Sequence, residues 1–337
     1  MLNLLTICFT IISMAAMVLP IVPSKYWLFR IFDYPRLQIC GLHLISITLL
    51  LITYGVRFLP VVLVVILTLN LLHHIRWIFP YSSLAKQEIP DYQSTDISLA
   101  ELSIFIWNVL QDNRESKAFL DCVRRYHPDL LFLCETDQWW CKTLKTLSDN
   151  YPYRVEIPMD NTYGMCLLSR FPLTQVEQNF LVDEDIPSIY ALLKHPNQVD
   201  IALHAVHPAP PVPEYAETTE KRNRELFLIA KRIAESSYPT LVFGDFNDVA
   251  WSRANKKFQQ ISGLLDLRKG RAIYATFPAY SSLLRVPIDQ IFTTADFRLK
   301  KMQLLGAMGS DHFPLYLDLV LVQNEAAMHS EAPTKFL

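Results

Sequence analysis

Charge is what this 337-residue chain has least of. Asp, Glu, Lys and Arg make up 19% of it, against about 25% in an average globular protein. Hydrophobic residues make up 51%, and the mean hydropathy is +0.18. That composition excludes a disordered chain and a coiled coil. Cysteine is sparse as well, at six residues, which excludes a disulfide-dense mini-domain. No C-x-x-C pair of the metal-binding type occurs, and Cys134 and Cys166 read as small core residues inside strand-like runs. There is no internal repeat and no low-complexity tract. What remains is a large enzyme-sized domain, a membrane protein, or both.

The formal charge of −2 hides an uneven split. Residues 1–90 hold six basic side chains (Lys25, Arg30, Arg36, Arg57, Arg76, Lys86) and two acidic ones (Asp33, Glu88). From totals of 31 basic and 33 acidic, 25 and 31 fall in 91–337, a net of −6. The front of the chain also carries the apolar excess. Met1–Ser24, Leu37–Tyr54 and Phe58–Ile75 contain no charged side chain. Each is about 18 residues or longer, enough to cross roughly 30 Å of hydrocarbon as a helix. Met1-Leu-Asn-Leu lacks the basic start of a signal peptide, so three transmembrane helices are expected, over about 2–24, 37–54 and 58–79. Only Gly55-Val56-Arg57 separates the last two, which makes them a tight hairpin. Trp27, Tyr34, Trp77 and Tyr81 flank the spans, where amphipathic rings favour the membrane interface. With three spans, Lys25, Arg30 and Arg36 share a side with everything after Tyr81. The positive-inside rule then leans towards a cytoplasmic C-terminal domain.

A polar linker is expected at 82–100, a soluble domain at 101–323 and a polar tail at 324–337. Strand-like runs lie at Leu102–Trp107, Leu130–Cys134, Met165–Ser169, Tyr190–Leu193, Val199–His207, Leu241–Gly244, Ile288–Thr293 and Leu315–Val322. Helical spacing marks Glu115–Tyr126, Trp139–Leu147 and Lys221–Ser236. Strands are too dense for a simple parallel sheet, so a two-layer β-sandwich with outer helices fits better.

Polar side chains recur where these strands end. Asn108, Glu135, His204 with His207, Asp245 with Asn247, Asp289, and Asp311 with His312 all stand at strand termini. A carboxylate directly after an apolar strand is costly unless it is paired or binds a cation. One such residue is usually a cap or a turn. Six strand ends together, if they converge, make an oxygen-rich cation site with two histidines, suited to metal-assisted phosphoester hydrolysis.

The segments Trp107-Asn108, Pro128–Glu135, Gly164–Arg170, Ala205-Val206-His207-Pro208, Gly244-Asp245-Phe246-Asn247, Pro287-Ile288-Asp289 and Ser310-Asp311-His312-Phe313-Pro314 stand in the order and spacing of one family. The chain resembles the endonuclease/exonuclease/phosphatase (DNase I-like) superfamily over about residues 102–322. Its front end resembles the membrane-anchored bacterial branch. The resemblance implies an α/β fold, a four-layered α/β sandwich preceded by transmembrane helices, and dependence on Mg²⁺ or Mn²⁺. Glu135 resembles the principal metal carboxylate, Asn108 supports it or the phosphate, and Asp311 resembles a second metal-side carboxylate. Asp245 and Asn247 would place water and phosphate. Asp289 would orient His312, which either takes the water proton or clamps the phosphate. His207 resembles the second histidine, with His204 as its rival; His204 reads better as a strand histidine. Met165 stands where DNase I has a glutamate paired to that histidine, and Gln290 where many relatives have His. Arg222 begins an Arg-x-x-Glu-Leu helix pattern seen in relatives and could reach the site, but reads better as a solvated helix arginine, and the Lys221–Arg224 and Arg268–Arg271 clusters read as solvated charge.

The expected substrate is a phosphodiester or phosphomonoester, carried on a lipid, a small molecule or nucleic acid. A net near −6 argues against a DNA-binding face, which needs surplus Lys and Arg, so a DNase I-like nuclease is the alternative. A non-catalytic membrane-anchored binding domain is a second. The expected partners are the substrate and, through residues 1–81, a lipid bilayer, with no obligate protein partner. The resemblance implies a multi-pass bacterial inner-membrane protein with a periplasmic catalytic domain, opposite to the charge count.

Overall fold

A computed structural model of the chain describes residues 1–19, 22, 26, 29, 31–210 and 218–323. The far end of the first expected span, Trp27 and the tail 324–337 lie outside the described residues.

Three apolar helices come first: α1 (Leu2–Val18), α2 (Arg36–Tyr54) and α3 (Phe58–Ile78). By length and composition, two candidate membrane spans are present among the described residues, Arg36–Tyr54 and Phe58–Tyr81, and α1 is a shorter apolar helix of 17 residues. Their packing inverts the usual amphipathic rule. The buried face of α1 is Thr6, Thr10, Ser13 and Ala16, while Leu4, Leu5, Ile7 and Ile11 face outward. Ser13 bonds Ser46 at 2.8 Å and Thr6 bonds Thr53 at 2.9 Å. Small and hydroxyl-bearing residues at helix contacts, with apolar residues outside, are the pattern of helices packed in lipid.

The segment expected as a linker is packed rather than free. Ile89 is buried, Glu88 pairs with Lys269 at 2.6 Å and Asp91 with Arg271 at 2.5 Å. Beyond it, two six-stranded mixed sheets face each other. One runs β11-β12-β1-β2-β4-β3, the other β5-β6-β7-β8-β10-β9. The first contains β1 (Ser98–Asn108), β2 (Leu130–Cys134), β3 (Tyr153–Ile157), β4 (Met165–Ser169), β11 (Phe297–Leu304) and β12 (Leu315–Val322). The second contains β5 (Leu173–Asn179), β6 (Ser188–His195), β7 (Val199–Val206), β8 (Thr240–Asp245), β9 (Leu265–Asp266) and β10 (Asp289–Thr293). Between the sheets, alternate residues such as Ile104, Ile106, Phe132, Leu203, Ala205 and Phe243 form the main core, following the two-residue period of a strand.

Outside the first sheet lie α4 (Ser116–Tyr126) and α5 (Gln138–Leu144), which seal Phe105, Trp107, Leu131 and Leu133. Outside the second lie α6 (Glu220–Ala234) and α7 (Arg253–Ser262), over Val206, Val242 and Phe292. This is the expected four-layered α/β sandwich. All six cysteines are free thiols.

Candidate active site

The central strands of the two sheets deliver their ends to one place. β1 and β2 run parallel with Asn108 opposite Cys134, so Asn108 neighbours Glu135. In the other sheet β10 runs antiparallel to β8 with Asp289 opposite Asp245. β7 lies parallel to β8, which brings His207 to the same rim. Gly244 makes this rim possible. It has φ +138°, and a Cβ there would sit 2.0 Å from the Val206 carbonyl oxygen.

The Asp245 carboxylate is the hub. Its Oδ2 accepts from Asn108 Nδ2 at 3.1 Å and lies 3.6 Å from His312 Nε2 and 3.8 Å from His207 Nε2. Its Oδ1 accepts from the Asn247 amide at 2.8 Å. Asn108 Nδ2 also donates to Glu135 Oε1 at 2.7 Å, and the Gln111 amide donates to Glu135 Oε2 at 3.2 Å. Glu135 and Asn247 hold φ values of 62° and 50°. Left-handed backbone at non-glycine residues is strained, and such strain concentrates at functional sites.

His312 Nδ1 and Asp289 Oδ2 are 2.9 Å apart, and Phe277 packs on the His312 ring at 4.9 Å. Burial works against charge on both partners, but their attraction outweighs it. The Asp289 carboxyl is held below the usual carboxylate range, and His312 is raised to about 10 by Asp289 and Asp245. Burial pushes the Asp245 carboxyl upward, against the pull of His312. Asp311 is half-buried beside the pair and adds its negative charge to the field on His312.

The donor set fits a hard divalent cation. Asp289 Oδ1 is buried with no hydrogen-bond partner among the described residues. Asp245, Asp289 and His312 offer ligand atoms within 4.8 Å of one another. Glu135, Asn108 and Asp311 add further oxygens at the same rim. Carboxyl and amide oxygens suit Mg²⁺ and Mn²⁺.

The sequence profile described as "Endonuclease/Exonuclease/phosphatase family" matches residues 106–312, well over half of the chain. This chain belongs to the endonuclease/exonuclease/phosphatase family. Solved structures agree on the fold. TDP2 of D. rerio, complexed with a single-strand DNA product, superposes with a TM-score of 0.56 at 18% identity, covering 65% of this chain and 99% of that one. A mannosyl-6-phosphatase of Bacteroides thetaiotaomicron gives 0.54 at 17%, covering 65% and 100%. Sphingomyelinase C of Streptomyces griseocarneus gives 0.51 at 13%, covering 65% and 99%. A search of curated proteins returns no match.

Within this family frame, the two candidate histidines separate cleanly. His204 points to the helix-covered face of β7, packs on Tyr190 at 5.0 Å, and is driven down to about 3 by burial. It is a strand histidine. His207 lies past the strand end beside Asp245, and Tyr163 packs on its ring at 5.5 Å. Its Nδ1 has no partner among the described residues, while Met165 is buried in the core between the sheets. Gln290 is on the opposite face of β10 from Asp289, bonded to the Asp248 carbonyl at 2.7 Å.

Two expectations are corrected. Arg222 is not solvated: it is 4% exposed, donates to the Asn247 carbonyl at 2.8 Å and pairs with Asp248 at 2.9 Å. Arg268 is likewise buried, paired with Asp266 at 2.7 Å and hydrogen-bonded to Gln290. Arg222 reaches Asp248 on the segment after β8, whereas Arg268 closes on Asp266 two residues before it. The sequence marks Tyr34 only as an interface ring. Its hydroxyl donates to the Asn247 carbonyl at 2.6 Å, which ties the start of α2 to the site. The signal available in the sequence was the Arg-x-x-Glu-Leu pattern for Arg222; nothing local marked Tyr34.

Proposed function

We propose that this chain is a membrane-anchored, metal-dependent hydrolase of phosphodiester or phosphomonoester bonds. The observation that carries the reading is the convergence of Asn108, Glu135, His207, Asp245, Asn247, Asp289 and His312 from both sheets around one carboxylate. Glu135, Asn108 and Asp311 would hold Mg²⁺ or Mn²⁺. Such an ion offsets the charge that builds on phosphoryl oxygens. Of the two roles open to His312 we assign the phosphate clamp, since Asp289 fixes the ring through Nδ1 and leaves Nε2 on the Asp245 side, where the ester would lie. Asp245, pushed upward by burial, is the group set to receive the proton of an attacking water that Asn247 helps position. His207 stands ready to protonate the leaving oxygen.

The anchor reading is supported by the outward Leu and Ile side chains of α1 to α3, too extensive an apolar surface for a protein in water. We read 1–81 as three spans in a bacterial inner membrane, with the domain on the periplasmic side. Alkaline phosphatase fused after Tyr81 tests this: low activity would place the domain in the cytoplasm.

For the chemistry, the full chain in detergent is assayed for Mg²⁺- or Mn²⁺-dependent release of nitrophenol from bis-nitrophenyl phosphate. Glu135→Gln and His312→Ala are each expected to lower the rate by at least about a hundredfold. Absence of activity would return the chain to a non-catalytic binding role, and activity indifferent to both substitutions would refute this site as its source.

A further inference from the structure

The segment Phe277–Val286 connects the site to the anchor. Its ends are bridged, Phe277 to Val286, and Phe277 packs on the His312 ring. The Ala279 amide donates to the Asp311 carbonyl at 2.6 Å. Arg285 lies over the Phe313 ring at 4.5 Å and donates to the Ala279 carbonyl at 3.4 Å. On its other side, Gln38, in the first turn of α2, donates to the Leu283 carbonyl at 2.7 Å. The loop is thus held between the reacting histidine and the end of a membrane helix.

At its tip the loop presents Tyr280, Leu283 and Leu284, which are 80%, 74% and 56% exposed. Large apolar side chains clustered on one exposed turn mark a contact surface. Their depth is fixed by Gln38. It sits where α2 begins, level with the end of α3, where Trp77, Phe79 and Tyr81 lie on the domain side. Leu37, the neighbour of Gln38, is itself exposed. A loop hydrogen-bonded at this level stands at the headgroup layer.

We infer that the Tyr280–Leu284 tip inserts into the bilayer beside the active site, which thereby takes its phosphoester from the membrane. The substrate class is an amphiphile, a phosphoester with a hydrocarbon tail. Its tail stays in the lipid while its phosphorus reaches His312 and Asp245. Hydrolysis adds the water oxygen to phosphorus and breaks the bond to the leaving oxygen, which takes up the proton. This inference rests on the phosphoesterase reading for its substrate and on the loop alone for its membrane contact.

The test uses the full chain in phosphatidylcholine vesicles and two esters with the same reacting group. Hexadecyl nitrophenyl phosphate partitions into the bilayer; methyl nitrophenyl phosphate stays in water. The double variant Leu283→Ser/Leu284→Ser should lose about tenfold or more on the hexadecyl ester, as expected from losing two leucines' worth of apolar contact. Its rate on the methyl ester should stay within about twofold of wild type, because neither leucine touches the reacting groups. Separately, Leu283→Trp should add emission that brominated lipids quench, whereas Val176→Trp on the edge strand β5 should add unquenched emission. An equal loss on both esters, no loss on either, or unquenched emission from Leu283→Trp overturns the inference; the last result would point to a protein or nucleic-acid contact at the tip. If wild type hydrolyses neither ester, the phosphoesterase reading and the substrate class fall together, and quenching alone decides the membrane contact.

Discussion

Glu225 offers a thermodynamic test of the fold around the site. It lies on α6, one turn after Arg222, and is 3% exposed. Its Oε1 has no hydrogen-bond partner among the described residues. Burial, helped by the charge of Asp183, raises its pKa from 4.5 to about 8. The folded chain therefore keeps a proton that the unfolded chain releases. Where the folded state binds more protons, stability falls as pH rises, here across the window from 4.5 to about 8. Each unit of that window costs about 1.4 kcal/mol, so by neutral pH the penalty is on the order of 3 kcal/mol. Glu225→Gln keeps the shape and removes the titration. Thermal melts of the full chain in detergent should coincide with wild type at the acid end of the window. The variant should then pull ahead as pH rises, by on the order of 10–20 °C at its alkaline end, at about 2–4 °C per kcal/mol for a domain of this size. A constant offset across pH, or a variant that melts lower at the alkaline end, would refute the reasoning, because Glu225 would then be ionised in the fold.

Three further outcomes are expected. Tyr34→Phe removes the bond to the Asn247 carbonyl but leaves Arg222 on the same oxygen; a loss of about 1 kcal/mol in positioning should slow turnover about fivefold with little change in melting, and an unchanged rate would uncouple α2 from the site. His207→Gln should lower hydrolysis by about a hundredfold or more while His204→Gln retains it; the reverse order would return His204 to the site. Gly244→Ala forces a Cβ onto the Val206 carbonyl at 2.0 Å, a clash expected to cost more than about 4 kcal/mol, so wild-type melting of that variant would show that β8 can shift away from β7.

The central strands were legible because they are buried on both faces. Leu130–Cys134 and Leu241–Gly244 are uninterrupted apolar runs, and their observed bounds differ little from those expected. The edges were not legible. β5 and β11 carry Glu177 and Lys300 on exposed faces, so their apolar periodicity is diluted, and β3 alternates over only five residues. α7 was missed for a related reason, its buried apolar side chains being little more than Ala254 and Phe258. Site residues at strand ends stood out because a polar group there needs a partner. Arg222, Arg268 and Tyr34 did not, because burial of a long polar side chain depends on partners that local sequence does not reveal, most of them distant. Arg222 finds Asp248, Arg268 finds Gln290 and Asp266, and Tyr34 finds a carbonyl 213 positions away.

The contacts made by residues 33–81 change what a severed domain would be. Tyr81 donates to the Ala250 carbonyl at 2.7 Å, Trp251 donates to the Asp33 carbonyl at 2.8 Å, and Trp77 and Tyr34 pack with Val249, Ala250 and Trp251 as one cluster. The boundary at residue 82 is therefore a boundary of hydropathy and not of folding. A protease that clipped the chain there would not shed a working soluble enzyme. It would strip one wall from the segment that carries Asn247, so on the proposed reading release from the membrane and loss of activity would be the same event.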